Sequence, residues 1–152
     1  MTPIEEQFLS RLEQFIPDFT LNEQQMKQLR IFYENLIEWN KVMNLTAITE
    51  EEDVYTKHFL DSYSFLTSVP RETLSEASRV KMIDVGTGAG FPGLPLLIAR
   101  PDIQLTLVDS LNKRLEFLRG VLEELDLEAE IVHMRAEDFS RQPQYREQFD
   151  LA

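Results

Sequence analysis

Two spacings of hydrophobic residues divide this sequence near residue 80. Before that point, apolar residues recur every three or four positions, which places them on one face of an α-helix. After it, short apolar runs alternate with stretches of helical spacing, the pattern of buried strands joined by helices. We therefore predict an N-terminal helical region over residues 1–79 and a second region of strands and helices over residues 80–152.

The first region contains three stretches of helical periodicity. Pro17 interrupts the first stretch, because proline cannot continue a helix. Thr20 with Glu23 and Thr49 with Glu52 have the spacing of a capping box, and they predict where the second and third helices begin. The polar stretch 68–79 reads as the connection to the second region. The apolar faces of the helices are formed by Ile4, Phe8, Leu9, Leu12, Phe15 and Ile16, by Met26, Leu29, Phe32, Tyr33, Leu36, Ile37 and Met43, and by Val54, Tyr55, His58, Phe59 and Tyr63.

The second region predicts an α/β fold. Because each apolar strand is followed by a helical stretch, the strands should be joined by right-handed crossovers into a parallel sheet. The first strand runs directly into a glycine-rich segment, which is where such folds bind nucleotides. The predicted strands cover residues 80–85, 104–109 and 130–134, and the predicted helices cover residues 94–100 and 113–127.

Composition and charge exclude several kinds of protein. The 152 residues suffice for one domain with a real core, and the absence of cysteine excludes disulfides and thiolate metal sites. The N-terminus does not resemble a secretory signal and no apolar run is long enough to cross a bilayer, so we expect a cytoplasmic protein. The net charge is −12, and neither region is basic. That balance disfavours a nucleic acid docking on these residues alone.

The histidines and the segment around Trp39 offer little chemistry. His58 and Asp61 are one helical turn apart, but with only two histidines in the chain we predict no metal site. We expect His58 either to contact Asp61 or to pack against the second region. Residues 39–40 and 44–46 could touch RNA, but we favour a role in capping and turning the helix.

The segment DVGTGAGFPG at residues 84–93 raises the question of its ligand. Gly88, Gly90 and Gly93 match the G-x-G-x-x-G pattern of dinucleotide-binding folds, and an acid follows 21 residues after Gly88. A pyrophosphate, however, needs free backbone amides and no competing negative charge. Asp84 adds such a charge and Pro92 removes an amide, so both favour a ligand with a cationic end. S-adenosylmethionine, which has a sulfonium, an ammonium and no phosphate, fits better.

This interpretation assigns a role to the end of each predicted strand. Gly86 and Gly88 let the backbone approach the ligand closely. The carboxylate of Asp84 favours the amino-acid end of adenosylmethionine, and Asp109, at the end of the second strand, can accept hydrogen bonds from both ribose hydroxyls. An N-cap of the following helix is the structural alternative for Asp109. The segment 136–138 would supply an amide and a carboxylate at the adenine edge.

The sequence resembles the bacterial 16S rRNA guanine-N7 methyltransferase family RsmG, also called GidB, over nearly its whole length. The resemblance implies a class I methyltransferase, with a Rossmann-like parallel sheet and adenosylmethionine as the cofactor. It also implies that Gly86 and Phe91 contact the cofactor, that Asp109 holds the ribose, and that Ala136 and Glu137 hold the adenine. The segments that carry the resemblance are EWNKVMNLTAIT (38–49), VYTKHFLDS (54–62), DVGTGAGFPGLPL (84–96), LVDSLNKRLEFL (107–118) and RAEDF (135–139).

The resemblance also implies a substrate, and it implies that these residues form an incomplete sheet. The implied substrate is small-subunit ribosomal RNA or the 30S subunit. Because the guanine N7 that is methylated already carries a free lone pair, we expect no general base. The family's sheet places the first strand between the second and a fourth, and this sequence ends at 149–152, before a cofactor-contacting arginine of the family. We therefore expect an incomplete sheet, RNA contacts mostly elsewhere, and no methylation by these residues alone. The alternatives are an NAD-binding oxidoreductase domain and a non-catalytic truncated remnant.

Overall fold

Helices form the first region of the chain in the computed structural model, which describes residues 1–69 and 80–142. Three helical segments are present, as the hydrophobic spacing predicts, and the third passes through α, π and 3-10 geometry without a break. The elements are α1 (Pro3–Phe15), α2 (Glu23–Asn40), α3 (Glu51–Asp53), a π-helical turn (Val54–Leu60), α4 (Asp61–Ser64) and a 3-10 turn (Phe65–Ser68).

The helix caps differ from those predicted. Asn22 caps α2, because its Oδ1 accepts a hydrogen bond from Gln25 N at 2.8 Å while Gln25 Oε1 accepts one from Asn22 N at 2.8 Å. The predicted box at 20–23 is therefore wrong, and so is the one at 49–52, because α3 begins after Glu50 without a side-chain cap. Several polar pairs have the required spacing. Which pair is used depends on where the chain enters the helix, and packing decides that.

The second region folds as an α/β unit with a parallel sheet, which confirms the predicted fold class. Its three strands lie in the order β1-β2-β3, and both neighbouring pairs are parallel. The fourth strand expected at 149–152 and most of the connection at 68–79 lie outside the described residues. The elements are β1 (Lys81–Val85), α5 (Gly93–Ala99), β2 (Gln104–Asp109), α6 (Asn112–Leu125), β3 (Glu130–His133) and α7 (Ala136–Ser140).

The two helices beside the sheet begin and end where their sequences allow. Pro95 lies in the first turn of α5, where its missing N–H costs nothing. α6 ends two residues earlier than predicted, because Asp126 adopts a left-handed conformation with φ 56°. Leu127 N then donates back to Leu122 O at 3.0 Å, a bond that closes the helix end. The apolar face of α6, including Leu115 and Leu118, is buried.

The two regions share one hydrophobic core. The core combines the buried faces of α1, α2 and the π-helical turn with those of α5, α6 and the inner side of the sheet. Polar side chains join the regions as well: Gln28 Nε2 donates to Leu125 O at 3.2 Å, and Tyr63 Oη donates to Pro95 O at 2.8 Å. Phe15 is an exception to the predicted face, since it is 64% exposed at the end of α1. The helical region therefore supports the segment that follows β1.

Candidate functional site

The carboxyl ends of the three strands meet at one edge of the sheet, which is where α/β folds bind ligands. Gly86, the first residue after β1, donates its N–H to Val108 O of β2 at 2.8 Å. Asp109, the last residue of β2, accepts a hydrogen bond through its backbone oxygen from Met134 N at 3.0 Å. The glycine loop, Asp109 and the segment after β3 thus lie side by side. Ala136 and Glu137 are exposed at the start of α7 on this edge.

The first half of the glycine loop faces open space. Gly86 and Gly88 have φ values of +69° and +59°, a conformation that side-chain-bearing residues rarely adopt. A Cβ atom built on either residue would have no neighbour within 4 Å. Packing therefore does not explain why these positions are glycine. They leave a stretch of bare backbone at the strand ends, which a ligand can approach closely.

The second half of the loop is packed against the core. A Cβ on Gly90 would lie 2.8 Å from Leu94 Cδ1 and 2.9 Å from Leu118 Cδ2, and a Cβ on Gly93 would lie 2.9 Å from Asp84 Oδ2. Here the absence of a side chain lets α5 approach the sheet and α6. In a dinucleotide-binding loop the second glycine lets the backbone approach the pyrophosphate and the third packs the helix on the strand. Gly93 fits that third role, but Gly90 is packed against Leu94 and Leu118, which weakens the dinucleotide interpretation.

The buried carboxylate of Asp84 organises the packed half of the loop. Its Oδ2 accepts hydrogen bonds from Thr87 Oγ1 at 2.8 Å and from Gly93 N at 3.0 Å. Burial raises the pKa of Asp84 to about 6, although both hydrogen bonds oppose the rise. Asp109 adds a smaller increase in the pKa through charge repulsion. A carboxylate that is costly to ionise would be stabilised by a cationic group docking beside it.

Asp109 holds the open half of the loop. Its Oδ2 accepts a hydrogen bond from Gly88 N at 2.9 Å, and its Oδ1 accepts one from Leu111 N at 2.9 Å. Arg114 Nη1 lies 3.5 Å from Oδ1. Each carboxylate oxygen has two lone pairs, but the Asp109 side chain is only 2% exposed, and its two oxygens are used here by the loop and by the start of α6. The alternative role as the N-cap of α6 is wrong, because Leu111 occupies that position.

Phe91 points toward the helical region. Its ring stacks on Phe32 of α2, with centroids 5.2 Å apart, and on His58 of the π-helical turn, with centroids 4.3 Å apart and planes 6° apart. The packing role predicted for His58 is thereby confirmed. The ring of Phe91 is only half-buried. The loop is therefore anchored at Phe91, while Gly86 and Gly88 stay accessible.

The segment after α2 is held by a side-chain cap. Asn40 Oδ1 accepts hydrogen bonds from Leu45 N at 2.8 Å and from Thr46 N at 3.1 Å. Trp39 packs edge-on against Phe117 of α6, with ring centroids 5.9 Å apart. These contacts confirm the predicted capping and turning role of this segment.

Two residues and one contact of the site were not predicted. Thr87 donates to Asp84 from inside the loop, and a hydroxyl three residues after the acid is the signal that could have identified it. Arg114, in the first turn of α6, pairs with Asp109 five residues earlier. The bond from Gly88 to Asp109 joins residues 21 positions apart. Local spacing does not reveal a contact of that kind.

Residues 1–69 and 80–142 contain neither a metal-binding cluster nor a membrane-spanning helix. No group of three or more histidine, aspartate or glutamate side chains in these ranges could hold a metal ion. No helix within them is long and apolar enough to cross a membrane. A groove of about 880 Å³ lies at the opposite, amino edge of the sheet, between the first residues of the strands and α6.

A parallel α/β sheet with a glycine loop after the first strand and an acid at the end of the second is consistent with the Rossmann-like fold of the class I methyltransferases. Residues 25–152 match the family described as rRNA small subunit methyltransferase G, GidB, and the chain belongs to this family. The predicted family resemblance is confirmed.

Two relatives illustrate the match. The chain is 53% identical over 134 residues to the ribosomal RNA small subunit methyltransferase G of Leuconostoc mesenteroides, an alignment that covers 88% of this chain and 55% of that protein. It is 45% identical over 151 residues to the protein of the same name from Desulfitobacterium hafniense, covering 99% of this chain and 60% of that protein. The chain thus spans 55–60% of the length of these relatives.

Proposed function

We propose that this chain forms the S-adenosylmethionine-binding part of an enzyme that methylates guanine N7 in small-subunit ribosomal RNA. One observation carries the proposal: Gly86 and Gly88 present bare backbone to open space beside the Asp109 carboxylate, at the carboxyl edge of a parallel sheet. Membership of the family supports the type of reaction and the substrate.

The residues at the sheet edge fit the chemical groups of adenosylmethionine. Asp84 and Asp109 place two carboxylates at the loop, which favours a ligand that carries positive charge. The open glycines would contact the cofactor through their backbone, and Asp109 would accept hydrogen bonds from the ribose hydroxyls. We assign the adenine edge to Ala136 and Glu137, which are exposed at the start of α7. Phe91 would contact the cofactor from the anchored end of the loop.

The proposed reaction places few chemical demands on the protein. Adenosylmethionine supplies a methyl group on a positively charged sulfur, open to in-line attack by a lone pair. Guanine N7 is an acceptor without a proton, so nothing has to be removed before attack. The side chains therefore need to orient the cofactor and keep water out, and we assign no general base.

Charge bears on how the RNA would bind. The chain carries a net charge of −12, which repels phosphates rather than releasing counterions. We therefore propose that the surface that grips the ribosomal RNA or the 30S subunit lies mostly outside residues 1–152. Because the proposed substrate is ribosomal RNA, we place the reaction in the cytoplasm.

Calorimetric titration with adenosylmethionine, and separately with NAD, tests the proposed cofactor. We expect heat of binding with adenosylmethionine and none with NAD. Binding of NAD in its place would overturn the proposal and favour an oxidoreductase domain. No binding of either would favour a non-catalytic protein.

Labelled adenosylmethionine and small ribosomal subunits test the reaction itself. We expect a full-length relative to transfer the label to guanine N7. Loss of this transfer when the glycine equivalent to Gly86 is replaced by valine would support the assignment of this site. That residues 1–152 alone do not methylate RNA stays a prediction, and the same assay checks it.

A further inference from the structure

His58 connects the helical region to the glycine loop. Its imidazole lies parallel to the Phe91 ring, with planes 6° apart and centroids 4.3 Å apart. On its edge, Nε2 is 2.8 Å from Thr46 Oγ1, in the segment that follows α2. Thr46 is itself held by the Asn40 side chain, whose Oδ1 accepts from Thr46 N at 3.1 Å. The ring is therefore fixed by partners on two separate segments.

The local backbone also distinguishes His58 from an ordinary packing residue. It lies in the π-helical turn Val54–Leu60, and π-helical turns are rare and frequently found at functional sites. The neighbouring Phe59 and Tyr55 are buried in the core, which fixes the turn. His58 itself is half-buried beside a groove of about 300 Å³, which also borders on Phe91 and Pro92.

Phe91 is fixed from both directions. Phe32 of α2 stacks on it at a centroid distance of 5.2 Å, and His58 stacks on it at 4.3 Å. Gly90 precedes Phe91 directly and donates its N–H to Thr87 O at 3.0 Å, inside the loop. A displacement of the Phe91 ring would therefore be transmitted to the backbone that carries Gly88.

We propose that His58 is a positioning residue for cofactor binding, which acts by holding the Phe91 ring and through it the glycine loop. The inference rests on the proposed function for its cofactor. The flat ring of His58, stacked on Phe91, is the part that acts, and the hydrogen bond to Thr46 is a secondary contact on the edge of that ring. His58 itself does not contact the reacting atoms in this proposal.

Four variants separate the ring from general stability. His58→Ala removes the stack, whereas His58→Phe keeps a flat ring and loses only the bond to Thr46. His58→Leu fills the space without a flat ring, and it replaces His58→Ala if that variant does not fold. Leu60→Ala is the matched control, because Leu60 is a half-buried residue on the same π-helical turn that packs against the core.

The first measurement is the affinity for adenosylmethionine by calorimetry. Because an aromatic pair contributes on the order of 1 kcal/mol, we expect His58→Ala or His58→Leu to raise Kd about five- to tenfold. His58→Phe and Leu60→Ala should stay within about twofold of the wild type. Unchanged affinity in His58→Ala, or an equal loss in Leu60→Ala, would overturn the proposal.

The second measurement uses the protein without cofactor. Hydrogen exchange of the loop amides, including those of Gly86, Thr87 and Gly90, should accelerate in His58→Ala and not in Leu60→Ala at equal thermal destabilisation. Failure of the wild type to bind adenosylmethionine would contradict the proposed function, whereas unchanged exchange in His58→Ala would contradict the positioning role. The two failures are therefore distinguishable.

Discussion

The two halves of the glycine loop contain the same residue type for different reasons. Gly86 and Gly88 face open space, while Gly90 and Gly93 lie against buried leucines and the Asp84 carboxylate. Each half also has its own acid: Asp109 accepts from Gly88 N, and Asp84 accepts from Gly93 N. In the open half only the positive φ values call for glycine, whereas in the packed half the neighbouring side chains do so, and we propose that the open half binds a ligand. A single glycine pattern in the sequence therefore combines two requirements, a positive φ in an open turn and close packing against neighbouring side chains.

The largest expected effect is on the packed half. Gly90→Val should destabilise the protein by roughly 3–4 kcal/mol, because it combines a φ of +99° with contacts of 2.8 and 2.9 Å to the buried Leu94 and Leu118 side chains. Urea unfolding measures the loss. Gly120→Ala is the control, since Gly120 lies within α6 with no neighbour near its Cβ, and it should stabilise by about 0.5–1 kcal/mol. A stable Gly90→Val protein would show that the two halves do not differ as described.

The open half should respond in the opposite way. Gly86→Val is expected to abolish adenosylmethionine binding, because its side chain would occupy the space that a ligand needs. The strain at a φ of +69° should cost only about 1–2 kcal/mol of stability, so the helical region stays folded. Calorimetry and circular dichroism on the same sample check both statements. Normal affinity in a folded variant would mean that this half is also only a turn.

The acid of the open half provides a finer test. Asp109→Ala should weaken adenosylmethionine binding by roughly 1–3 kcal/mol, since ribose hydroxyls and Gly88 N both lose a charged acceptor. Asp109→Asn keeps one acceptor oxygen and should lose less. A folded Asp109→Ala protein with wild-type affinity would contradict the ribose assignment.

Asp84, the acid of the packed half, should make the stability of the protein depend on pH. The pKa of Asp84 is about 6 in the folded protein against 3.8 for the free side chain, so the folded state holds its proton more tightly. The contribution of this group to wild-type stability is therefore fully present below pH 3.8, and that contribution is lost as the pH rises through the folded-state pKa of about 6. Asp84→Asn cannot ionise, so its stability relative to the wild type should rise by roughly 2–2.5 kcal/mol between pH 4 and pH 7.

Urea unfolding of the wild type and of Asp84→Asn at the two pH values measures this difference in stability. The other titratable groups are the same in both proteins, so their contributions cancel when the two stabilities are subtracted. A difference that does not change with pH would show that Asp84 titrates normally. If Asp84 also faces the cationic end of the cofactor, adenosylmethionine affinity should fall in the wild type as the pH is lowered through about 6, and Asp84→Asn should lack this dependence.

The sequence by itself determined the framework of the site. Short apolar runs predict the strands at 81–85 and 104–109. Because helical stretches separate these runs, the sequence also predicts that the strands are parallel. The glycine loop and Asp109 follow from their place at strand ends. The family was recognisable because several of its segments occur in this chain at matching positions. All of these signals are local.

Only the tertiary structure decided how the loop is divided. Whether a glycine faces space or a leucine depends on α5 and α6, and the bond from Asp109 to Gly88 joins two strand ends. The same holds for Phe91, whose ring is fixed by Phe32 and His58 from the helical region. Each of these contacts joins residues far apart in the chain. They arise from close packing of whole elements, which no local spacing of residue types specifies.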